Sequence, residues 1–154
     1  MILSEFILNN QIDELKIGSD IRNFKMRFHN ITKEKGNVPS LYGLDYKNEY
    51  FEITSFKNTI IGISYDFQYN IDELHDIYFE NFKFALGYKT SYNDLVEFLK
   101  NVNLDFEVHT SNETDNTEVE LKKIKITLVF SHNHKLIKAY IFDRKLHETI
   151  LKTM

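Results

Sequence analysis

The chain has 154 residues, 42% of them apolar, and a formal net charge of −4, values of one domain that buries about two-thirds of its unfolded surface. It contains no cysteine, which excludes a disulfide framework, thiolate zinc ligation and a cysteine nucleophile, and its acidity disfavours direct nucleic-acid binding, which draws on a concentrated basic field. No stretch approaches the roughly 18 apolar residues of a membrane span and the opening MILSEFILNN carries no basic leader, so a cytoplasmic protein with no membrane partner is expected.

In chain order, Gly18 and Ser19 precede Ile21, Phe24 and Phe28, an apolar spacing that predicts a short amphipathic helix over 17–28 with Ser19 as N-cap. Residues 29–40 hold Gly36, Asn37 and the sole proline, Pro39, and read as a loop. Glu49 to Phe56 and Thr59 to Phe67 alternate apolar and polar residues on either side of Lys57-Asn58, the pattern of a β-hairpin. The stretch Asn70 to Glu80 has an almost wholly acidic polar side and reads as a helical turn or a loop, and 82–86 as a strand.

Ser91, with Asp94 three residues on, caps a second helix that presents Leu95, Phe98, Leu99 and Val102. A strand is expected over 104–109 and an exposed acidic loop over 110–118. Strands over 120–130 and 136–142 form a second hairpin, and Asp143 caps a terminal helix through Leu151. The abundance of Lys, Asn, Ile, Phe and Tyr is that of an AT-rich bacterial genome.

The two halves share one order of elements. Tyr50 to Phe67 parallels Ile124 to Asp143, and Gly18 to Phe28 parallels Gly87 to Leu99. The expected architecture is therefore a single α+β domain over 1–154 with an internal repeat of about 10–69 and 79–143. Two helix-plus-β-hairpin units would build one antiparallel sheet with the helices packed on one face. The other face would be broad, partly aromatic and open to a protein partner.

Few residues point to chemistry. His132 and His134 have a ligand-like spacing but sit in a turn without a near third ligand, so no metal is expected. No histidine stands beside a nucleophile, and the five glycines build no phosphate loop, so neither catalytic residues nor a cofactor is expected. Lys122, Lys123 and Lys125 share a strand region with Glu118 and Glu120 and read as edge-strand protection. What remains is acidic surface. Asp72, Glu73, Asp76 and Glu80 form one group, and Glu113, Asp115 and Glu118 the other, with Tyr69 and Tyr78 as aromatic anchors.

The order of a Gly-Ser-capped helix, then Tyr42-Gly43-Leu44-Asp45-Tyr46, then a hairpin ending Ile61-Gly62-Ile63-Ser64-Tyr65, resembles the small cytoplasmic immunity proteins of bacterial polymorphic-toxin and contact-dependent inhibition systems. In outline it is also similar to a tandem-repeat inhibitor of β-lactamase. The resemblance implies a non-enzymatic inhibitor that docks on a cognate toxin; a basic nuclease would suit the acidic surface. The competing reading is a small ligand-binding domain or enzyme with a pocket containing His109, His132 or His134.

Overall fold

A computed structural model describes residues 2–69 and 71–153. The chain runs through α1 (Ile2–Asn9), β1 (Gln11–Ile12), β2 (Leu15–Lys16), a 3-10 turn at Ile21–Asn23, β3 (Arg27–Thr32), β4 (Ser40–Tyr46), β5 (Glu49–Phe56) and β6 (Thr59–Asp66). After a 3-10 turn at Phe67–Tyr69 come β7 (His75–Phe79), β8 (Phe82–Leu86), α2 (Tyr92–Asn101), β9 (Phe106–Thr110), β10 (Thr117–Leu121), β11 (Ile126–Phe130), β12 (Leu136–Phe142) and α3 (Arg144–Lys152). The protein is an α+β structure built on one antiparallel sheet of eight strands in the order β3-β4-β5-β6-β12-β11-β10-β9. Two four-stranded meanders thus meet through β6 and β12, and β3 and β9 form the outer edges.

Alternation along each strand makes the two faces chemically distinct. One cross-strand row reads Phe28, Leu44, Phe51, Tyr65, Ala139, Leu128, Val119 and Val108. The adjacent row reads His29, Gly43, Glu52, Ser64, Tyr140, Thr127, Glu120 and Glu107. At about 4.8 Å per strand, seven spacings make each row some 34 Å long.

The apolar face carries the core. Onto it pack Leu3, Phe6 and Ile7 of α1, Leu95 and Leu99 of α2, and Ile77, Phe79 and Leu86 of the β7–β8 hairpin. That hairpin is a separate two-stranded sheet inserted between the meanders. At the centre, Phe51 is fully buried, with Phe6 edge-on at 5.6 Å and Tyr65 at 5.2 Å. The third helix lies elsewhere: His147 of α3 packs edge-on against Phe56 and Phe142, whose register places them on the polar face. Of the two unit helices expected on one face, only the one capped by Ser91 forms and packs there, as α2; the apolar face is covered besides by α1, which the sequence did not suggest, and α3 lies on the other face.

The predicted helix over 17–28 is corrected. Asp20, rather than Ser19, caps a single 3-10 turn, its side chain accepting from the Arg22 backbone N–H at 2.9 Å. The flanking backbone is already committed to β6: Gly18 N–H donates to the Ile60 carbonyl, Ile60 N–H to the Ser19 carbonyl and Ile21 N–H to the Asn58 carbonyl. These intersegment bonds replace the i to i−4 bonds a helix would need. Phe28 then enters β3 with its side chain on the core face, which the apolar spacing at 21, 24 and 28 does not distinguish from a helix stripe. The strand also claims the first residues of the expected loop, and 110–118 yields Thr117 and Glu118 to β10.

The β5–β6 hairpin forms as the alternation predicts, its turn held by Lys57 (φ 50) and Asn58 (φ 64), the left-handed pair that a two-residue hairpin demands. Lys47 (φ 49) and Asn48 (φ 66) repeat the device between β4 and β5. Ser91 accepts from Asp94 N–H at 3.1 Å and Asp143 from Leu146 N–H at 2.9 Å, the two expected helix caps.

Removing the Phe51 ring should leave a void where the first meander and α1 converge. Phe51→Ala is expected to lower unfolding free energy by about 3–5 kcal/mol in urea titrations, and a loss of under about 1 kcal/mol would contradict its central place.

Candidate partner-binding surface

The polar face is assembled by alternation alone: each strand that buries Phe51, Ile53, Ile63 or Ile141 must turn Glu52, Thr54, Ser64 or Tyr140 the other way. Tyr140 donates to Glu118 Oε1 at 2.6 Å, and burial with this carboxylate beside it pushes the phenol up to about 12, so it remains a donor at neutral pH. Glu52, Ser64, Glu118, Lys138 and Tyr140 line a shallow concavity of about 400 Å³. Near β3 an aromatic line crosses the sheet, with His29 and Tyr50 centroids 6.1 Å apart and Tyr50 and Tyr69 4.6 Å apart. Gly43 lies beneath it; a Cβ there would stand 2.3 Å from the His29 ring, so only glycine lets the two side chains cross.

At the far edge, Glu107, His109 and Glu120 bring ligand atoms within 4.8 Å of one another, a three-donor arrangement the sequence spacing did not reveal. Lys122 already occupies it, with Nζ 3.0 Å from Glu107 and 3.4 Å from Glu120. That ammonium, hydrogen-bonded to Glu107, holds the carboxyl below its usual range. The cluster is therefore an exposed charge network satisfied by its own cation.

The acidic residues singled out above fall into different settings. Asp72 pairs with Lys89 at 3.4 Å, Glu73 with His75 at 3.5 Å and Glu80 with Lys123 at 2.5 Å, leaving Asp76 as the carboxylate of that group with no ion pair among the described residues. The Glu80–Lys123 pair ties the tip of the β7–β8 hairpin to the β10–β11 turn. Glu113 and Asp115 occupy the β9–β10 turn, off the opposite end of β10, roughly 16 Å of strand away. Glu118 belongs to the polar sheet face instead. The two acidic groups are thus separate features and not one patch.

Apolar exposure is more concentrated than charge. Of nine exposed large apolar side chains among the described residues, Tyr69, Ile71, Leu74, Tyr78 and Phe82 fall within 69–82. Asn70, inside this stretch and at the start of the expected acidic segment, lies outside the described residues. The rest of that segment is a loop followed by strand β7, and β7 buries His75, Ile77 and Phe79 while turning Asp76 and Tyr78 outward. The loop is seated: a Cβ on Gly87 would come within 2.3 Å of the Glu73 backbone carbonyl and 2.9 Å of Leu74. Tyr69, its ring tilted against that of Tyr50, links this exposed stretch to the polar face.

His132 and His134 stand exposed in the β11–β12 turn, His134 against the Tyr92 ring at 5.9 Å. His75 is the buried histidine, its Nε2 3.4 Å from the Tyr65 hydroxyl. Nearby, Glu49 is half-buried with its carboxyl pushed up by burial, against the pull of the Leu3 backbone N–H at the start of α1. No helix among the described residues is long and apolar enough to cross a membrane.

Burial holds the His75 pKa below its ordinary 6.5, with Glu73 opposing. Below that value the unfolded chain takes up this proton more readily than the folded one, so stability falls as pH drops. Urea midpoints measured from about pH 7.5 down to about 6 should decline more steeply for the parent than for His75→Gln; equal slopes would refute the assignment. No protein-family model matches this chain, and no curated protein or solved structure matches it either.

Proposed function

We propose that this protein is a cytoplasmic immunity protein that binds and neutralises a cognate bacterial toxin, and that residues 69–82 form the centre of the contact. The supporting observation is the crowding of Tyr69, Ile71, Leu74, Tyr78 and Phe82, all exposed, onto one stretch braced by a hairpin. Large exposed side chains on a fixed backbone lose little freedom on binding and give the anchors around which interfaces are built. Their surroundings are acidic: Asp72, Glu73, Asp76 and Glu80 stand against Lys83 and Lys89 over 69–89. Such a rim draws a basic partner and sets its orientation. A nuclease toxin, whose substrate site is basic, is the class this charge suits, with catalysis residing wholly in the partner.

The repeat belongs to the same reading. Two meanders placed edge to edge through β6 and β12 are what a duplicated unit would form, with β5–β6 and β11–β12 as the matched hairpins and the β7–β8 insertion as the part special to one copy. On this view the inserted hairpin is where recognition resides.

The test is a pull-down with the product of the neighbouring gene followed by calorimetry. A one-to-one complex of nanomolar affinity is expected, weakened at least about tenfold by Tyr78→Ala with Phe82→Ala, with melting temperature unchanged. Asp76→Lys should slow association and reduce its dependence on salt. A complex formed as tightly by all these variants as by the parent would sink the proposed surface.

A further inference from the structure

A second site lies away from the exposed hairpin. Where the C-terminal end of α1, strand β2, the β10–β11 turn and the start of α3 converge, they enclose an open groove of about 530 Å³. Lys16, Lys125, Arg144 and Lys145 all line it. The ion pairs among the described residues include none of these four. The carboxylate in the lining, Asp143, accepts from Leu146 N–H as the cap of α3. Four cations against one carboxylate make the groove +3 locally in a chain whose net charge is −4. A concentration of unpaired like charge around a cavity opposes folding unless an anion or solvent offsets it, and it focuses a positive field into the opening.

Two other features narrow the ligand. The Phe142 ring, 42% exposed, forms part of the wall and offers a flat apolar surface. Asn9, Asn10 and Gln11 line the same groove and add side-chain amides, groups that can hydrogen-bond a polar ligand. The volume is that of small-molecule sites, about 300–1,000 Å³.

We propose that this groove binds a nucleotide-sized polyphosphate, with its phosphates held by Lys16, Lys125, Arg144 and Lys145 and its flat base against Phe142. The site is independent of the toxin-binding surface, and the isolated protein suffices to test it. Calorimetry at low salt would use ATP, inorganic pyrophosphate and adenosine as probes. ATP is expected to bind with a Kd of about 1–100 μM, pyrophosphate more weakly, and both more weakly still as salt rises.

Arg144→Glu with Lys145→Glu should weaken ATP at least about tenfold while the helix dipole favours the new carboxylates in the first turn of α3, so the loss cannot come from an unfolded helix. Lys16→Glu should act likewise, and Lys83→Glu, outside the groove, should leave binding intact. Any of four results would overturn the proposal: no ATP binding at about 1 mM, undiminished binding by the groove variants, adenosine binding as tightly as ATP, or a glutamate-rich peptide binding the same residues more tightly than ATP.

Discussion

The antiparallel pairing of β6 with β12 is the contact on which the rest of the structure rests. It sets Tyr65 opposite Ala139, 74 positions on in the chain (139 − 65), and Ile63 opposite Ile141, 78 positions on (141 − 63). Each meander closes locally through short turns, but neither alone has a core on which α1, α2 and the β7–β8 hairpin could all pack. Once β6 and β12 align, the apolar row becomes continuous from Phe28 to Val108. A slip of one residue at this seam would turn every side chain of one meander to the wrong face.

Much of this was legible in the sequence where local chemistry decides. The β5–β6 hairpin follows from alternation around Lys57-Asn58, and α2 and α3 begin at Ser91 and Asp143 because those side chains satisfy helix N–H groups within three residues. The segment 17–28 failed for the converse reason. Its apolar spacing fits a helix, yet its backbone partners lie at Asn58 and Ile60, some forty residues on, where no local rule can see them. The two-residue strands β1 and β2 pair with each other and β7 pairs with its chain neighbour β8, so these are local hairpins too short or too acidic to stand out by alternation.

The surface obeyed the same division. That Tyr78 points outward and Ile77 inward is a matter of period two. That Lys122, Lys123 and Lys125, nearly consecutive in sequence, go to three destinations is not. One settles between Glu107 and Glu120, one grips Glu80 on the hairpin tip, and one lines the groove with Lys16, Arg144 and Lys145. A cluster in sequence became three unrelated electrostatic settings, whereas four cations scattered between positions 16 and 145 became one. Charge patterning along a chain predicts a field only when the residues share an element.

The turns have a consequence for how this protein can change. Among the described residues, eleven that are not glycine hold positive φ, Lys47, Asn48, Lys57 and Asn58 among them, while only two glycines do. In a chain with five glycines in all, asparagine and lysine have taken over backbone shapes that L residues adopt at some expense. Each such position is one where drift toward glycine relieves strain without touching the core. The fold therefore carries a distributed reserve, set aside in its bends, from which losses incurred by substitutions elsewhere on its surface can be made good.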